Sequence, residues 1–424
     1  MKTTALRLYG ENDLRLESFE LPEIKEGEIL AKIVSDSLCM SSYKATIQGS
    51  KHKRVPDDVA DNPIIIGHEF CGELVKIGSK WENQYKVGSK FVVQPSMNYQ
   101  GRLDAPGYSF PYYGGDCTYI IIPEVAIMLG CLIPYEGDSF FYGSLAEPMS
   151  CIVGGYHANY HHKKQGEYEH VMGIVEGGNT AILAGVGPMG LGAIDYAIHC
   201  DRKPKLVVVT DIDESRIKRA MEILPVEEAE KNGVKLIYVN TSGIDDPVGY
   251  LKGLTGGDGY NDVFVYAPVK SVVEMGDALL CKDGCLNFFA GPTDPSFSAN
   301  FNFYNVHYAS THIVGTSGGN TEDMKEALKM METKTINPAA MITHVGGLDS
   351  AAEATKNLPK IPGGKKLIYT HISMPLTAIA DFEEKGKTDP LFKELDRLVK
   401  ANNGLWSDEA EKYLLENAPA LKIN

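Results

Sequence analysis

At 424 residues, with 43% hydrophobic content, the chain exceeds the size at which one core stops growing and carries enough apolar material for two. A formal charge of −15 and a pI near 5.2 argue against a nucleic-acid or anionic-membrane partner, because like charge repels a phosphate backbone, and favour a small-molecule substrate. The eight cysteines include no Cys-x-x-Cys pair and the first residues lack the apolar core of a signal peptide, so a reducing cytoplasm is the expected location. The longest apolar stretch, Ala181 to Cys200, is broken by four glycines, a proline and Asp195, and does not read as membrane-spanning.

From Met1 to about Cys151 the apolar pattern is short and β-like. Strands are predicted at Thr3 to Leu8, Ile29 to Val34, Phe70 to Ile77, Lys90 to Gln94 and Thr118 to Ile122. The loops Ser41 to Asn62 and Pro95 to Gly115 are long, and long loops on a rigid scaffold are where sites tend to lie. After Gly178 strands alternate with helices. The strands are Thr180 to Ala184, Leu206 to Thr210, Lys235 to Val239, Val263 to Ala267, Leu286 to Ala290 and His312 to Gly315. The helices are Leu191 to His199, Glu214 to Leu224, Val272 to Leu280 and Glu322 to Met331. That alternation implies a parallel sheet with crossover helices. Beyond Asn337 the β-like pattern returns at Lys366 to His371. Leu391, Phe392, Leu395, Leu398 and Val399 then recur at helical spacing, so the tail is expected to pack as helices.

Gly185-Val186-Gly187-Pro188-Met189-Gly190 has the spacing of a dinucleotide loop. Alone it is weak, because 43 glycines in 424 residues predict roughly 0.4 chance matches. Its context is stronger: a strand precedes it and a helix follows, whose N-terminal amides can bind a pyrophosphate. About 20 residues further on, Asp211 ends the next strand, where a carboxylate can accept the adenosine ribose hydroxyls and would repel a 2′-phosphate. NAD is therefore favoured over NADP, with Arg216 nearby as the opposing feature.

Cys39, His68 and a carboxylate supply the donor types zinc prefers. Taken singly, Cys39 is as readily a small buried hydrophobe, and His68 beside Ile64-Ile65-Ile66 a satisfied core histidine. The motifs together say more. Gly67-His68-Glu69 followed by Phe70-Cys71-Gly72-Glu73-Leu74-Val75, then Lys86-Val87-Gly88-Ser89-Lys90, Ala146-Glu147-Pro148-Met149-Ser150, the glycine loop and Val209-Thr210-Asp211 stand in one order. That order resembles the zinc-dependent medium-chain alcohol and polyol dehydrogenases.

The resemblance implies an α/β chain. A GroES-like, mostly β catalytic domain would occupy residues 1–155 and a Rossmann NAD-binding domain with a doubly wound parallel sheet residues 156–336. Residues 337–424 would return to the first domain and add a helical extension. The catalytic site is expected in the cleft between the two domains, and a homo-oligomer is expected. By the same analogy Cys39 and His68 bind one catalytic zinc, with Glu69 or Glu147 as third ligand and the other carboxylate holding the zinc-bound water. Gly185, Gly187, Pro188, Met189, Gly190, Asp211 and Arg216 would contact NAD(H). Ser41 falls at the hydroxyl that passes the substrate proton, and Lys44 at the next relay position. Ser42 departs from the family, which usually has an Asp there to orient the ligand histidine. Pro95 to Gly115 contains no cysteine, so no structural zinc is expected.

The segment from Glu147 through His157-Ala158-Asn159-Tyr160-His161 to Gly178, and Gly315 to Asn320, are most similar to the L-sorbose 1-phosphate reductase branch. This implies a ketose phosphate and a hexitol phosphate as the substrate pair. Lys51, Lys53 and Arg54 form a basic cluster that could attract the phosphate. The alternatives are a zinc dehydrogenase of an unphosphorylated polyol or secondary alcohol, a zinc-free reductase on the same fold, and an NAD-binding sensor or structural protein without turnover.

Overall fold

The structure is a computed structural model and describes residues 1–164 and 166–422. It divides into two compact units. The first contains Met1–Pro148, Asn320–Glu332 and the chain from Ile342 onward; the second contains Met149–Gly319 and Thr333–Met341.

The first unit is built around Ile29–Ser37, a strand buried along nearly its whole length because it is paired on both sides. Phe70–Ile77 lies antiparallel on one side, with Asp36 opposite Phe70, and Lys365–Tyr369 lies antiparallel on the other, with Leu367 opposite Ser37. These belong to an eight-stranded sheet that also takes in Lys90–Val93, Tyr119–Ile122, Leu132–Tyr135, Ile342–Gly347 and Thr377–Ala378. A separate three-stranded sheet orders Asp13–Glu20, Lys2–Gly10 and Ile64–Ile65. The pairing of Asp13–Glu20 with Lys2–Gly10 was not visible in the sequence, since only Leu14 of the strand is buried and its polar and apolar residues do not alternate along its length.

The tail packs as helices against this unit. Pro390–Ala401 is capped by Asp389, which accepts the Leu391 amide at 2.9 Å, and buries Phe392, Leu395 and Val399. Asp408–Asn417 is capped by Ser407, which accepts the Ala410 amide at 3.1 Å. Buried Glu411 accepts the Phe140 and Phe141 amides at 2.7 and 2.8 Å and the Tyr369 hydroxyl at 2.8 Å, so the extension ties into the sheet. The helix Thr321–Glu332 also belongs to this unit and not to the parallel sheet it follows in sequence.

The second unit holds a six-stranded sheet in which every neighbouring pair is parallel. Its order is Lys235–Asn240, Leu206–Asp211, Asn179–Leu183, Tyr260–Val265, Leu280–Phe288 and His312–Val314. Asn179–Leu183 and Leu206–Asp211 are buried on both faces, as strands covered by crossover helices must be. The chain order reverses direction on either side of Asn179–Leu183, which makes the carboxyl end of that strand the switch point where such sheets bind ligands. A hairpin of Tyr160–His162 and His170–Met172 and the short helices Val226–Lys231, Pro247–Gly253 and Phe303–Tyr308 add to what periodicity predicted. Among the described residues no helix is long and apolar enough to cross a membrane.

Candidate metal and cofactor sites

The central strand of the first unit brings the candidate ligands together. Ile29–Ser37 runs into Cys39, which begins the helix Met40–Gln48, while His68 and Glu69 lead into the neighbouring strand, with the Ser37 amide donating to the Glu69 carbonyl at 3.0 Å. Cys39 Sγ, a His68 nitrogen and a Glu69 oxygen all lie within 4.8 Å of one another. Gly67 permits this turn: φ is +91°, and a Cβ would stand 2.5 Å from both the Asp116 amide and Asp36 Oδ2.

Each donor has an identifiable partner. Ser42 Oγ lies 3.3 Å from His68 Nδ1, so the serine stands where it can orient the ring. Nε2 is 3.4 Å from the Tyr108 hydroxyl, and Tyr108 also hydrogen-bonds Ser41. Burial pushes His68 down to about 4, which leaves a neutral imidazole with a free lone pair. Burial and the Glu69 charge push the Cys39 thiol up to about 12, so binding a cation there must displace a proton. Ser41 Oγ sits 3.5 Å from Cys39 Sγ. Burial lowers the Lys44 ammonium.

Glu69 is the most constrained member. The Lys365 ammonium, from the strand on the far side of Ile29–Ser37, donates to its two oxygens at 2.5 and 2.6 Å, and Ser37 Oγ donates as well. Burial alone would raise this carboxyl; Lys365, His68 and Ser37 overcome it and hold it below the usual range. Behind it Asp36 Oδ1 accepts the Glu69 amide at 3.1 Å. Asp36 Oδ2 and both Asp116 oxygens are buried without a donor among the described residues, and burial pushes both carboxyls up, Asp116 to about 7. A proton shared by the pair satisfies both. Glu147, in the first turn of Ala146–Ala158, acts electrostatically on Cys39, Tyr108 and Lys365.

The basic cluster divides. Lys51 is taken by an ion pair with Glu11, and Lys53 is exposed. Arg54 instead lies over the Tyr108 ring, 5.3 Å from its centroid, with a buried Nε that meets no partner among the described residues. His52 stacks on the same ring at 5.5 Å.

In the second unit, the glycine loop joins Asn179–Leu183 to the helix Pro188–His199, with Gly187 at its N-cap and Pro188 in its first turn. A Cβ at Gly190 would stand 2.0 Å from the Gly185 carbonyl oxygen, so only glycine allows the helix to start this close to the strand. Asp211 ends the next strand and is buried; its Oδ1 accepts the Ile212 and Asp213 amides at 2.9 and 3.1 Å. The Arg216 guanidinium stands 3.3 Å from where a Gly187 Cβ would be.

Residues 25–131 match the alcohol dehydrogenase GroES-like domain family, and residues 188–333 match the zinc-binding dehydrogenase family. The chain is 55% identical over 415 residues to a mannitol-1-phosphate 5-dehydrogenase of Aliivibrio fischeri, covering 98% of each chain. The chain belongs to the zinc-binding medium-chain dehydrogenase family. It is also 49% identical over 416 residues to an L-sorbose 1-phosphate reductase of Klebsiella pneumoniae, again covering 98% of each. Among solved structures, 2R,3R-butanediol dehydrogenase from Bacillus subtilis shares the fold, with a TM-score of 0.69 at 21% identity over 87% of this chain and 99% of that one.

As a zinc-binding dehydrogenase the chain is an oxidoreductase that works with zinc and a nicotinamide cofactor. The residues present fit the metal: a thiol, a neutral imidazole and the Glu69 carboxylate converge where the thiol and Nε2 make only long contacts. Lys365, Tyr108 and the Asp36–Asp116 pair escaped the sequence reading. A lysine opening an apolar strand is the one signal that could have marked Lys365, because such a charge needs a buried partner. Tyr108 lay inside a loop singled out for its length and its lack of cysteine, neither of which marks a tyrosine.

Proposed function

We propose that this chain interconverts a ketose phosphate and a hexitol phosphate with NAD(H), using one zinc ion held by Cys39, His68 and Glu147. The observation that carries the phosphate is Arg54. Its guanidinium has an unspent donor and rests on Tyr108, whose hydroxyl is 3.4 Å from the His68 imidazole, so an anionic substrate group can be gripped one ring away from the metal ligands. Lys53 adds charge from the surface. The names of the two sugar-phosphate relatives support the same substrate class.

Charge balance favours Glu147 as third ligand. Glu69 is already neutralised by Lys365, which leaves the Cys39 thiolate and the Glu147 carboxylate to offset the charge of a divalent cation. Bound there, zinc would supply Lewis acidity toward a carbonyl or alcohol oxygen, and a bound nicotinamide would serve as hydride donor or acceptor. The protein's own groups position and move the proton. Ser41, between Cys39 and Tyr108, passes it from the reacting oxygen, and Lys44, lowered by burial, carries it onward. Gly185, Gly187, Pro188, Met189 and Gly190 present helix-terminal amides to the pyrophosphate, and Asp211 receives the adenosine ribose. Asp211 favours NAD over NADP, with Arg216 alongside the loop able to tolerate some NADP.

The test follows oxidation and reduction of the nicotinamide with L-sorbose 1-phosphate, mannitol 1-phosphate and their unphosphorylated forms, using NAD(H) and NADP(H). Arg54→Ala is expected to raise KM for the phosphorylated substrate about 10-fold or more, the equivalent of losing a charged hydrogen bond of ~1.5–3 kcal/mol, and to leave free hexitols unaffected. Equal efficiency on free and phosphorylated substrates in the parent chain would overturn the sugar-phosphate assignment.

A further inference from the structure

A second set of metal-binding side chains lies at the edge of the parallel sheet in the other unit. His162, Asp283 and His312 each offer a ligand atom within 4.8 Å of the others. They come from three elements: the hairpin strand Tyr160–His162, the strand Leu280–Phe288 and the edge strand His312–Val314. We propose that they form a second, zinc-type divalent cation site, with His170 as fourth donor, which clamps the hairpin to the sheet edge.

Asp283 is placed with some care. It is a non-glycine residue at φ +60°, a conformation seldom adopted without cause. Its carbonyl faces His161 Nδ1 at 2.8 Å, and His161 Nε2 faces the buried Asp262 carboxylate at 3.0 Å. Both of those partners accept only, so His161 donates from both nitrogens as an imidazolium and fixes the Asp283 backbone. The Asp283 side chain then meets two imidazoles on one oxygen: His162 Nδ1 at 2.6 Å and His312 Nε2 at 2.7 Å. The other oxygen accepts the His162 amide at 2.9 Å. No lysine or arginine pairs with Asp283 among the described residues, so its charge stays available to a cation.

Two imidazoles and a carboxylate are a donor set suited to zinc and similar divalent transition metals. His170 lies opposite His162 across the hairpin, its ring 4.9 Å away, and faces the same open pocket of about 480 Å³. Neighbouring ligands on tetrahedral zinc stand about 3.3 Å apart at bond lengths near 2.0–2.1 Å, so the two nitrogens must each back away from Asp283 by well under an ångström. The half-exposed His162 and Asp283 side chains, at 22% and 28%, have room to do so. This site is independent of the catalytic assignment and adds a metal to the one expected from sequence.

The experiment uses the full chain, stripped with chelator, re-equilibrated with Zn²⁺ alone and freed of unbound metal before elemental analysis. Two zinc ions per chain are expected for the parent and one for His312→Ala. Cobalt titration of Cys39→Ser should give visible d–d absorption without a thiolate charge-transfer band, and adding His312→Ala should remove it. If His312→Ala fails to fold by circular dichroism, His162→Ala, on the more exposed hairpin, carries the same reading. One zinc per chain in the parent, or an unchanged count in both histidine variants, overturns the proposal.

Discussion

Glu69 and Asp283 are carboxylates held in the same manner, each receiving hydrogen bonds from two side chains, but they differ in what surrounds them. Glu69 is 1% exposed and its main partner is the ammonium of Lys365, itself buried. Asp283 is 28% exposed and its partners are imidazoles. The first pair closes its own charge. The second is met by imidazoles alone on a partly exposed carboxylate. Counter-charge, and not the number of hydrogen bonds, therefore separates the two carboxylates.

The largest effect is expected at the residue next to the closed pair. Cys39→Ser removes the one donor there that becomes an anion on binding metal, and turnover should fall to that of zinc-stripped enzyme, with loss of the corresponding zinc in elemental analysis. Undiminished turnover would end the zinc dehydrogenase reading of this cluster.

Removing the partners of each carboxylate in zinc-free protein separates the two. Lys365→Met strands a buried carboxylate and should cost about 3–5 kcal/mol in urea unfolding, most of it recovered by adding Glu69→Leu. Asp283→Asn tolerates the same positive φ, is reached by water, and should cost only about 1 kcal/mol. Similar costs at the two positions would show that burial and counter-charge do not separate them. One step smaller is Ser42→Ala. With Ser42 Oγ 3.3 Å from His68 Nδ1, and His68 proposed as a zinc ligand, its loss should weaken zinc binding about 10- to 100-fold in competition with a chelator, while the stability of zinc-free protein stays nearly unchanged.

These differences also mark how far the sequence could be read. Cys39, His68, Glu69 and the Gly185 to Gly190 loop were legible because each stands in a run of neighbouring residues that forms a local motif. Most strands were legible for the same reason, through runs of β-branched residues. Lys365 was not, since its partner lies 296 positions away and only the antiparallel pairing of Lys365–Tyr369 with Ile29–Ser37 brings them together. Nor was the cluster at Asp283, whose members come from a hairpin of three-residue strands, the inner strand Leu280–Phe288 and the edge strand beside it, with no shared motif. The membership of Thr321–Glu332 in the first unit was hidden likewise, because a helix following a strand looks the same whichever core its apolar face meets.

A third carboxylate tests the argument from the opposite direction. Glu411 is as buried as Glu69 and accepts three hydrogen bonds, two from amides and one from Tyr369, but no cation reaches it among the described residues. If hydrogen bonds alone decided, it would be held low like Glu69; burial instead pushes it up to about 7. A folded-state proton retained to about pH 7, where an unfolded glutamate loses it near 4.3, makes its contribution complete below about pH 4. That contribution is then lost as pH rises toward 7, at about 1.4 kcal/mol per pH unit. Subtracting the unfolding free energy of Glu411→Gln from that of the parent across pH 4.5 to 8 should therefore give a difference that slopes downward and flattens above 7. Parallel curves would mean that the amides of Phe140 and Phe141 suffice to keep the carboxylate ionised, and that Lys365 is not what distinguishes Glu69.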